Sequence, residues 1–121
     1  MVEHATAVLV RFNDAFNRHD VPAMMALMQA DCAFENTFPA PDGTRYEGQA
    51  AVEAFWIELF RASPTARIEV EELFVAGDRA VQRWVYRWAD NEESGAGYVR
   101  GVDLFRLADG LIAEKCSYVK G

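Results

Sequence analysis

The chain has 121 residues, of which 51% are hydrophobic and 12% aromatic, and its formal net charge is −7. This length fits one domain over residues 1–121, and the apolar content is well above that of a disordered chain. The acidic balance argues against a nucleic-acid partner, because a phosphate backbone would on average be repelled.

A first helix is predicted over about residues 2–19, where apolar side chains recur at helical spacing. The stripe consists of Ala5, Val8, Leu9, Phe12, Ala15, Phe16 and His19. Asp20 can stop this helix and cap a second one, in which Pro22 fits the first turn and which ends near Ala30. The second helix is expected to present Val21, Met24, Met25 and Met28.

A strand is predicted over Cys32–Phe38, where the character of the side chains alternates. One side of it carries Cys32, Phe34, Asn36 and Phe38. A loop with Pro39 and Pro41 follows, and a third helix is predicted from about Gln49 to Arg61. Its apolar stripe consists of Val52, Phe55, Trp56, Leu59 and Phe60. Ser63-Pro64 ends this helix.

Everything after Pro64 is predicted to be strand and turn. Four strands form an antiparallel meander over Arg67–Val75, Arg79–Ala89, Tyr98–Leu107 and Leu111–Val119. Turns are expected at Gly77-Asp78, near Glu92–Gly97 and at Asp109-Gly110. A slip in the alternation near Glu71-Glu72 indicates a bulge. Helices followed by antiparallel strands predict an α+β fold, with three N-terminal helices packed on one face of a curved antiparallel sheet.

Asp103 breaks the apolar pattern of the predicted strand Tyr98–Leu107. We expect its face of the strand to meet the helices, because the opposite face carries two arginines. A carboxyl group buried there must be paired, hydrogen-bonded or protonated. If it is neutral, it can donate a hydrogen bond to a developing oxyanion and act as a general acid. The alternatives are that Asp103 pairs with Lys115 on the next strand, or that the face assignment is reversed.

Burial and the aromatic neighbours Trp84 and Tyr86 are expected to keep Asp103 neutral. This expectation assumes that the long stem of Lys115 carries its ammonium group out to water. Depending on the register of the last hairpin, either Ser117 or Lys115 lies opposite Asp103. Replacing Asp103 by Asn should then stabilise the protein at about pH 8.

The predicted strand Arg79–Ala89 has an aromatic face. This face carries Gln82, Trp84, Tyr86 and Trp88. Its rings either line a pocket for a flat apolar ligand, with Gln82 as a polar anchor, or pack as ordinary core. Two further polar residues leave alternatives open. Glu35 is either solvated or rotated inward by a bulge, and His19 is expected to cap the end of the first helix.

Five local strings, together with the order of the elements, resemble the SnoaL-like branch of the NTF2-like superfamily. The strings are Ala15–Asp20, Ala30–Asn36, Tyr46–Gly48, Val102–Arg106 and Asp109–Ile112. This superfamily includes ketosteroid isomerases, polyketide cyclases and limonene-epoxide hydrolases. The resemblance covers nearly the whole chain and implies an NTF2-like cone that encloses a small-molecule pocket. It says much less about the reaction, because this fold hosts many chemistries.

The resemblance also assigns expected roles to individual residues. Asp103 stands where the isomerases keep a protonated aspartate in the oxyanion hole. Phe12 stands where they keep a tyrosine, and Asn36 stands where they keep the aspartate base, so two of the three catalytic groups are replaced. Ser117 stands where the epoxide hydrolases keep their second aspartate. The cyclases need only an acid/base carboxyl and a shaped pocket, and a cyclase-like activity is therefore compatible with the sequence.

The resulting hypothesis is a cofactor-independent isomerase or cyclase-like lyase that acts by proton transfer on a small apolar carbonyl compound, with Asp103 as the catalytic residue. The residues expected to bind the substrate are Phe12, Phe16, Asn36, Trp56, Gln82, Trp84, Tyr86, Phe105, Lys115 and Ser117. The alternative is a non-catalytic module of the same fold that binds a hydrophobic ligand or serves for dimerisation.

A homodimer is expected, formed through the sheet face that points away from the helices. That face carries Val81, Val85, Val102 and Leu104 among arginines. It is too apolar for open solvent, and no helix is predicted to cover it. The resemblance also implies dimers.

No metal or organic cofactor is expected. The two histidines and two cysteines lack ligand spacing, and no glycine-rich phosphate loop occurs. Cys32 and Cys116 are expected to be free thiols. Charged residues among the first 20 positions argue against a signal peptide, and no apolar run reaches the roughly 20 residues that span a bilayer. We therefore expect a cytoplasmic protein without a membrane partner.

Overall fold

Three helices and six strands make up the part of the chain that the computed structural model describes, residues 2–89 and 95–121. In chain order they are α1 (Val2–Asn17), α2 (Val21–Met25), β1 (Met28–Glu35), β2 (Arg45–Glu47), α3 (Gln49–Ala62), β3 (Arg67–Ala76), β4 (Arg79–Trp88), β5 (Gly97–Ala108) and β6 (Leu111–Val119). The predicted α+β class, with helices packed on a curved sheet, is confirmed. The turn expected near Glu92–Gly97 lies partly outside the described residues.

All six strands belong to one curved sheet in the order β2-β1-β6-β5-β4-β3. Strands β3 to β6 form the expected antiparallel meander, and the register of β3 against β4 shifts between Val70 and Glu72, where the bulge was predicted. The sheet is larger than the four-strand meander, because β1 pairs in parallel with β6 and β2 pairs with β1. The short β2 had not been predicted.

The second helix is shorter than predicted. Asp20 caps it as expected, accepting a hydrogen bond from the backbone nitrogen of Ala23 at 3.1 Å. The helix ends at Met25 and not near Ala30. Met28 instead opens β1 opposite Ile112, since the long-range pairing with β6 satisfies its backbone and buries its side chain to 2% exposure. Tertiary pairing here outweighs the helical spacing of the methionines.

The first strand is also displaced relative to its prediction. It ends at Glu35, and the backbone nitrogen of Asn36 already bonds to the carbonyl of Thr44 in the following loop. Phe38, expected on the same side of this strand as Cys32 and Phe34, lies beyond the end of the strand and is 58% exposed. The chain turns back here because β2 must return to pair with β1 through Phe34 and Tyr46.

The helices cover one face of the sheet, which is called the inner face below; the opposite face is the outer face. Helix α1 packs against β3, and α3 packs against β1. The core lies between these layers, and its largest fully buried side chains include Leu9, Phe12, Met24, Trp56, Phe105 and Ile112. Within the described ranges, every helix is too short or too polar to cross a membrane.

Candidate functional site

Asp103 lies in the middle of β5 on the inner face and is only 1% exposed. Its Oδ1 accepts hydrogen bonds from Ser117 Oγ at 2.6 Å and Lys115 Nζ at 3.3 Å. Its Oδ2 accepts one from Gln82 Nε2 at 2.8 Å. All three partners are donors, and an ionised carboxylate is an acceptor only, so the contacts match a carboxylate.

Strand register brings these side chains together. Gln82 on β4, Asp103 on β5 and Ser117 on β6 are direct cross-strand partners, which forms a polar row across the centre of the inner face. Lys115 pairs with Phe105, which is the next inward-facing pair of β5 and β6 after Asp103 and Ser117. Its ammonium group points back along β6 and donates a hydrogen bond to Ser117 Oγ at 3.0 Å. Of the two registers left open by the sequence, the structure has Ser117 opposite Asp103.

Helix α1 adds a residue that the sequence analysis had missed. Asn13 Nδ2 donates to Gln82 Oε1 at 2.8 Å, and Gln82 Nε2 donates to Asn13 Oδ1 at 3.2 Å. Asn13 is four residues after Leu9 and three before Phe16, so helical spacing alone places it on the apolar stripe. A polar residue on that stripe is the signal that could have found it. We call Asn13, Gln82, Asp103, Lys115 and Ser117 the polar cluster.

The prediction that Lys115 carries its charge to water is wrong. The residue is 7% exposed, and its Nζ lies 4.6 Å from the ring centre of Phe34 and 5.5 Å from that of Trp56. The carboxylate, the serine hydroxyl and the two ring faces replace the lost hydration of the ammonium group. The alternative pairing of Asp103 with Lys115 is therefore the one observed, and the argument for a neutral Asp103 loses its premise.

Aromatic rings surround the polar cluster on the helix side. Trp56, 1% exposed, packs edge-on against Phe12 and Phe16, with ring centres 6.2 and 6.1 Å away. Phe34 lies 4.6 Å from it in a tilted arrangement. Phe105 is also buried, at 2% exposure. The expected substrate-binding residues Phe12, Phe16, Trp56 and Phe105 thus all lie in the apolar core beside the cluster.

Two tryptophans of β4 lie across glycines of β5. Trp84 pairs with Gly101, and Trp88 pairs with Gly97. A Cβ added to Gly101 would be 2.6 Å from Trp84 Cη2, and one added to Gly97 would be 2.6 Å from Trp88 Cζ2. Only glycine allows so close an approach, so each indole lies over its neighbouring strand. Tyr86 is half-buried between them, with its ring centre 5.9 Å from that of Trp88.

Asn36 is buried just beyond the end of β1. Its Oδ1 accepts a hydrogen bond from the Thr44 backbone nitrogen at 2.8 Å, while its Nδ2 has no partner. In the described part of the chain, three indole nitrogens are likewise buried without a hydrogen-bond partner: those of Trp56, Trp84 and Trp88.

Glu35 and His19 lie outside the polar cluster. Glu35 pairs with Cys116 on β6, alternates with Phe34 and so belongs to the outer face, where its Oε2 is 3.8 Å from Arg45 Nη1. His19 Nε2 lies 2.7 Å from the carbonyl of Ala66, and its ring stacks on Phe60 at 4.1 Å. This histidine ties the end of α1 to the start of β3.

Two surface clefts lie among the residues that the structure describes. One, of about 390 Å³, lies between the start of α1 and the turns after β3 and β5, and is lined by residues such as His4 and Leu107. The other, of about 230 Å³, lies between α1 and β3 and is lined by Asn13, Ile68 and Leu73 among others. Asp103 lines neither cleft. Asn13 connects the smaller cleft to the polar cluster through Gln82.

The thiols and possible metal ligands add no further chemistry. Burial raises the pKa of both the Cys32 and the Cys116 thiol, which makes the thiolate scarce. Among residues 2–89 and 95–121, no three side chains of His, Cys, Asp or Glu come together as a metal site requires. The arrangement that can do chemistry is a buried carboxylate next to a buried ammonium and a hydroxyl.

Comparison with known proteins places this architecture in a family. The family model of the SnoaL-like domain matches residues 9–115. An NTF2-like protein of unknown function from Mesorhizobium loti is 44% identical, with a TM-score of 0.85, and the match covers 99% of this chain and 93% of that one. The chain therefore belongs to the SnoaL-like family of NTF2-like proteins. None of the curated proteins matches it in sequence.

More distant solved structures share the fold. A proposed ketosteroid isomerase from Kribbella flavida has a TM-score of 0.81 at 20% identity, covering 99% of this chain and 80% of that one. A proposed SnoaL-like polyketide cyclase from Jannaschia has a TM-score of 0.84 at 22% identity, and the match covers 98% of this chain and 87% of that one. At such identities the likeness extends to the fold alone.

Proposed function

We propose that the protein is a cofactor-independent enzyme of the isomerase or cyclase-like type, which moves a proton on a small apolar carbonyl compound. The observation that carries this proposal is the Asp103 carboxylate, held by three donors inside an aromatic core. An ionised carboxylate can accept a proton, and the aromatic rings around it limit the access of water to the site of transfer.

Asp103 takes the role of the general base. It removes a proton from the carbon next to the carbonyl group, and the pair of electrons moves onto the carbonyl oxygen to give an enolate. Asp103 then returns the proton to the same or another carbon. The Lys115 ammonium and the Ser117 hydroxyl, 3.0 Å apart, are the donors available to stabilise the enolate oxygen. They stand in for the tyrosine hydroxyl that Phe12 lacks.

The family membership and the two distant neighbours support this proposal. One neighbour is a proposed isomerase and the other a proposed cyclase, and both activities are consistent with acid/base chemistry on a carbonyl compound. The expected substrate-binding residues support it as well, because Phe12, Phe16 and Trp56 form an apolar wall beside Lys115.

Hydrogen exchange tests the proposal without a known substrate. A panel of small cyclic ketones is incubated with the protein in D₂O, and loss of the proton signal next to the carbonyl is followed by NMR. The protein should accelerate exchange for at least one ketone, and Asp103→Asn should remove the acceleration. Asp109→Asn, the same change in the exposed turn after β5, is the matched control and should retain it. Equal exchange with and without protein across the panel contradicts the proposal.

One observation favours the alternative of a non-catalytic module. The Asp103 carboxylate has all its contacts inside the protein and needs no ligand to satisfy it. In this function the polar cluster holds β4, β5, β6 and α1 together, while the protein binds a hydrophobic ligand or dimerises. Ligand binding that survives Asp103→Asn, with no exchange in the natural protein, supports this alternative.

The homodimer remains a proposal, and it involves the outer face. Leu104, Phe74 and Tyr118 on that face are 44%, 54% and 51% exposed. Val85 contributes nothing to an interface, because it is fully covered. It lies between Glu69 and Arg100 on the adjacent strands, and long charged side chains shield it. The apolar area that a second copy could cover therefore centres on Leu104.

A further inference from the structure

The side-chain amides of Asn13 on α1 and Gln82 on β4 face each other and exchange two hydrogen bonds. Asn13 Nδ2 donates to Gln82 Oε1 at 2.8 Å, and Gln82 Nε2 donates to Asn13 Oδ1 at 3.2 Å. Gln82 Nε2 also donates to Asp103 Oδ2 at 2.8 Å. Gln82 is 0% exposed, so its amide depends on these protein partners and not on water.

The orientation of the Gln82 amide follows from the charge of Asp103. An ionised carboxylate only accepts hydrogen bonds, so Gln82 has to turn its NH₂ group towards it. Asn13 is then oriented as well, because Gln82 Oε1 needs a donor. A proton on Asp103 Oδ2 would turn this oxygen into a donor, which requires an acceptor at the place where Gln82 Nε2 now lies.

The amide pair has a second orientation with the same number of hydrogen bonds. A half-turn of both amides exchanges the positions of their oxygen and nitrogen atoms. Gln82 Nε2 then donates to Asn13 Oδ1 across the 2.8 Å contact, and Asn13 Nδ2 donates to Gln82 Oε1 across the 3.2 Å contact. Gln82 Oε1 now lies where it accepts from a protonated Asp103. The torsion of a terminal amide is broad and roughly two-fold, so neither orientation is strained.

The surroundings of the pair allow this turn. Asn13 lines the smaller surface cleft, where water can satisfy the outer side of its amide in either orientation. The other oxygen of Asp103 keeps its bonds from Ser117 and Lys115 throughout. Lys115 on β6 is the one charged group that forms an ion pair with Asp103 in the described part of the chain, and it contacts Oδ1. Oδ2 is thus left to Gln82.

We propose that Asn13 and Gln82 are positioning residues that follow the proton on Asp103. Gln82 presents N–H to the ionised carboxylate and, after both amides have turned, C=O to the protonated acid. The inference rests on the proposed function, in which Asp103 holds a proton between its removal from one carbon and its return. The C–H bond breaks as the O–H bond forms, and the electron pair stays on the substrate as the enolate. The turned amide gives the new O–H group an acceptor.

Asp103→Asn imitates the protonated acid. Lys115 and Ser117 hold an oxygen at position 103, so the new NH₂ group is directed towards Gln82. The amide protons of Gln82 are followed by NMR at neutral pH and about 15 °C, where small domains are close to their greatest stability. In the natural protein, one of them should show a nuclear Overhauser contact to the β protons of residue 103. In the variant, this contact should be lost.

A second measurement does not depend on the folding of that variant. The natural protein, with ¹³C-labelled aspartate, is titrated from neutral towards acidic pH. The amide signals of Gln82 should change together with the carboxyl signal of Asp103. Gln29, whose amide donates to the carbonyl of Ala108 at 2.7 Å, is the internal control, because that acceptor allows one orientation only. Its signals should not follow Asp103 in either experiment.

Kinetics test whether the pair serves the reaction. Asn13→Leu should slow ketone exchange at saturation about tenfold with KM unchanged, as the loss of roughly one hydrogen bond implies. Gln82→Met should do the same, and the double variant should be no slower, because Asn13 acts through Gln82. Asn17→Leu is the matched control. Asn17 lines the same cleft from α1 but bonds to the backbone of Ile68, so the rate should not change.

The inference is overturned if Gln82 keeps its amide protons next to residue 103 in Asp103→Asn, or if they ignore the titration of Asp103. An equal slowing by Asn17→Leu and Asn13→Leu overturns the positioning role. The outcome is separable from that of the proposed reaction. If no ketone exchanges hydrogen but the amides turn, the reaction fails and the adaptable pair stands. If exchange occurs while the amides stay fixed, only the adaptable pair fails.

Discussion

The two faces of the sheet hold the same kind of ion pair in opposite surroundings. On the inner face, Asp103 and Lys115 are 1% and 7% exposed and are surrounded by rings. On the outer face, Glu71 accepts hydrogen bonds from Arg100 at 2.8 and 2.9 Å in open solvent. Water competes with the outer pair and cannot reach the inner one. Breaking the two pairs should therefore have very different consequences.

The largest effect is expected from Asp103→Asn. The change leaves the Lys115 ammonium buried without its carboxylate, which typically destabilises a protein by about 3–5 kcal/mol. Urea unfolding at neutral pH measures it. This expectation is opposite to the stabilisation inferred from the sequence, because that inference placed Lys115 in water.

A double variant checks the cause of that loss. In Asp103→Asn combined with Lys115→Met, no charge remains buried, so most of the lost stability should return. Asp109→Asn, in the exposed turn, should change stability by less than about 0.5 kcal/mol. If the double variant is no more stable than Asp103→Asn, the buried charge is not the cause.

A smaller effect on the inner face is expected from Gly101→Ala. The new Cβ would meet the backbone carbonyl oxygen of Tyr118 and lie 2.6 Å from Trp84 Cη2. Overpacking of this kind costs about 1–3 kcal/mol, which thermal or urea unfolding resolves. Gly97→Ala is the comparison, because its Cβ meets only the side chain of half-exposed Trp88. Gly97→Ala should lower the free energy of unfolding clearly less than Gly101→Ala does. Equal losses would mean that the contact of the new Cβ with the Tyr118 carbonyl oxygen contributes nothing to the effect.

Leu104→Glu tests the outer face. If this face joins two copies, a charge at its exposed apolar centre should disrupt them without unfolding either. Light scattering should then report about 27 kDa for the natural protein, twice the 13.6 kDa of the chain, and the monomer mass for the variant. Ile57→Glu is the control, since Ile57 is similarly exposed but lies on α3. A natural protein that is already monomeric contradicts the dimer.

The smallest effect is expected from Glu71→Gln. The hydrogen bond from Arg100, helped by the charges of Arg100 and Arg83, lowers the pKa of Glu71 below its ordinary 4.5. A depressed pKa in the folded state means that Glu71 adds stability above about pH 4.5, and this contribution is lost as the pH falls through the lower folded value. The natural protein should therefore lose slightly more stability than Glu71→Gln when unfolding is measured from pH 6 down to about pH 3. If the stability of the two proteins falls in parallel with pH, the ion pair of Glu71 and Arg100 contributes nothing to stability.

The elements with strong local patterns could be predicted. The stripe of α1, the third helix and the meander follow from spacing, because each pattern has a single period over its length. The bulge near Glu71 and the turn at Asp109-Gly110 follow from local chemistry in the same way. The α2–β1 region could not be predicted. There, Met24, Met25 and Met28 share helical spacing, and only pairing with β6 makes Met28 a strand residue.

The sequence by itself determined which side chains share a face within each of the strands β4, β5 and β6. Alternation has a period of two, so Lys115 and Ser117 had to lie on one face of β6, whereas the pairing of that face with Asp103 and Gln82 came from the register. Only the tertiary structure decided what they do to one another. Whether the Lys115 ammonium turns to water or to Asp103 depends on the rings of Phe34 and Trp56, which come from β1 and α3. The same holds for Asn13, because a local pattern describes the direction of a side chain and not the partner that packing brings to it.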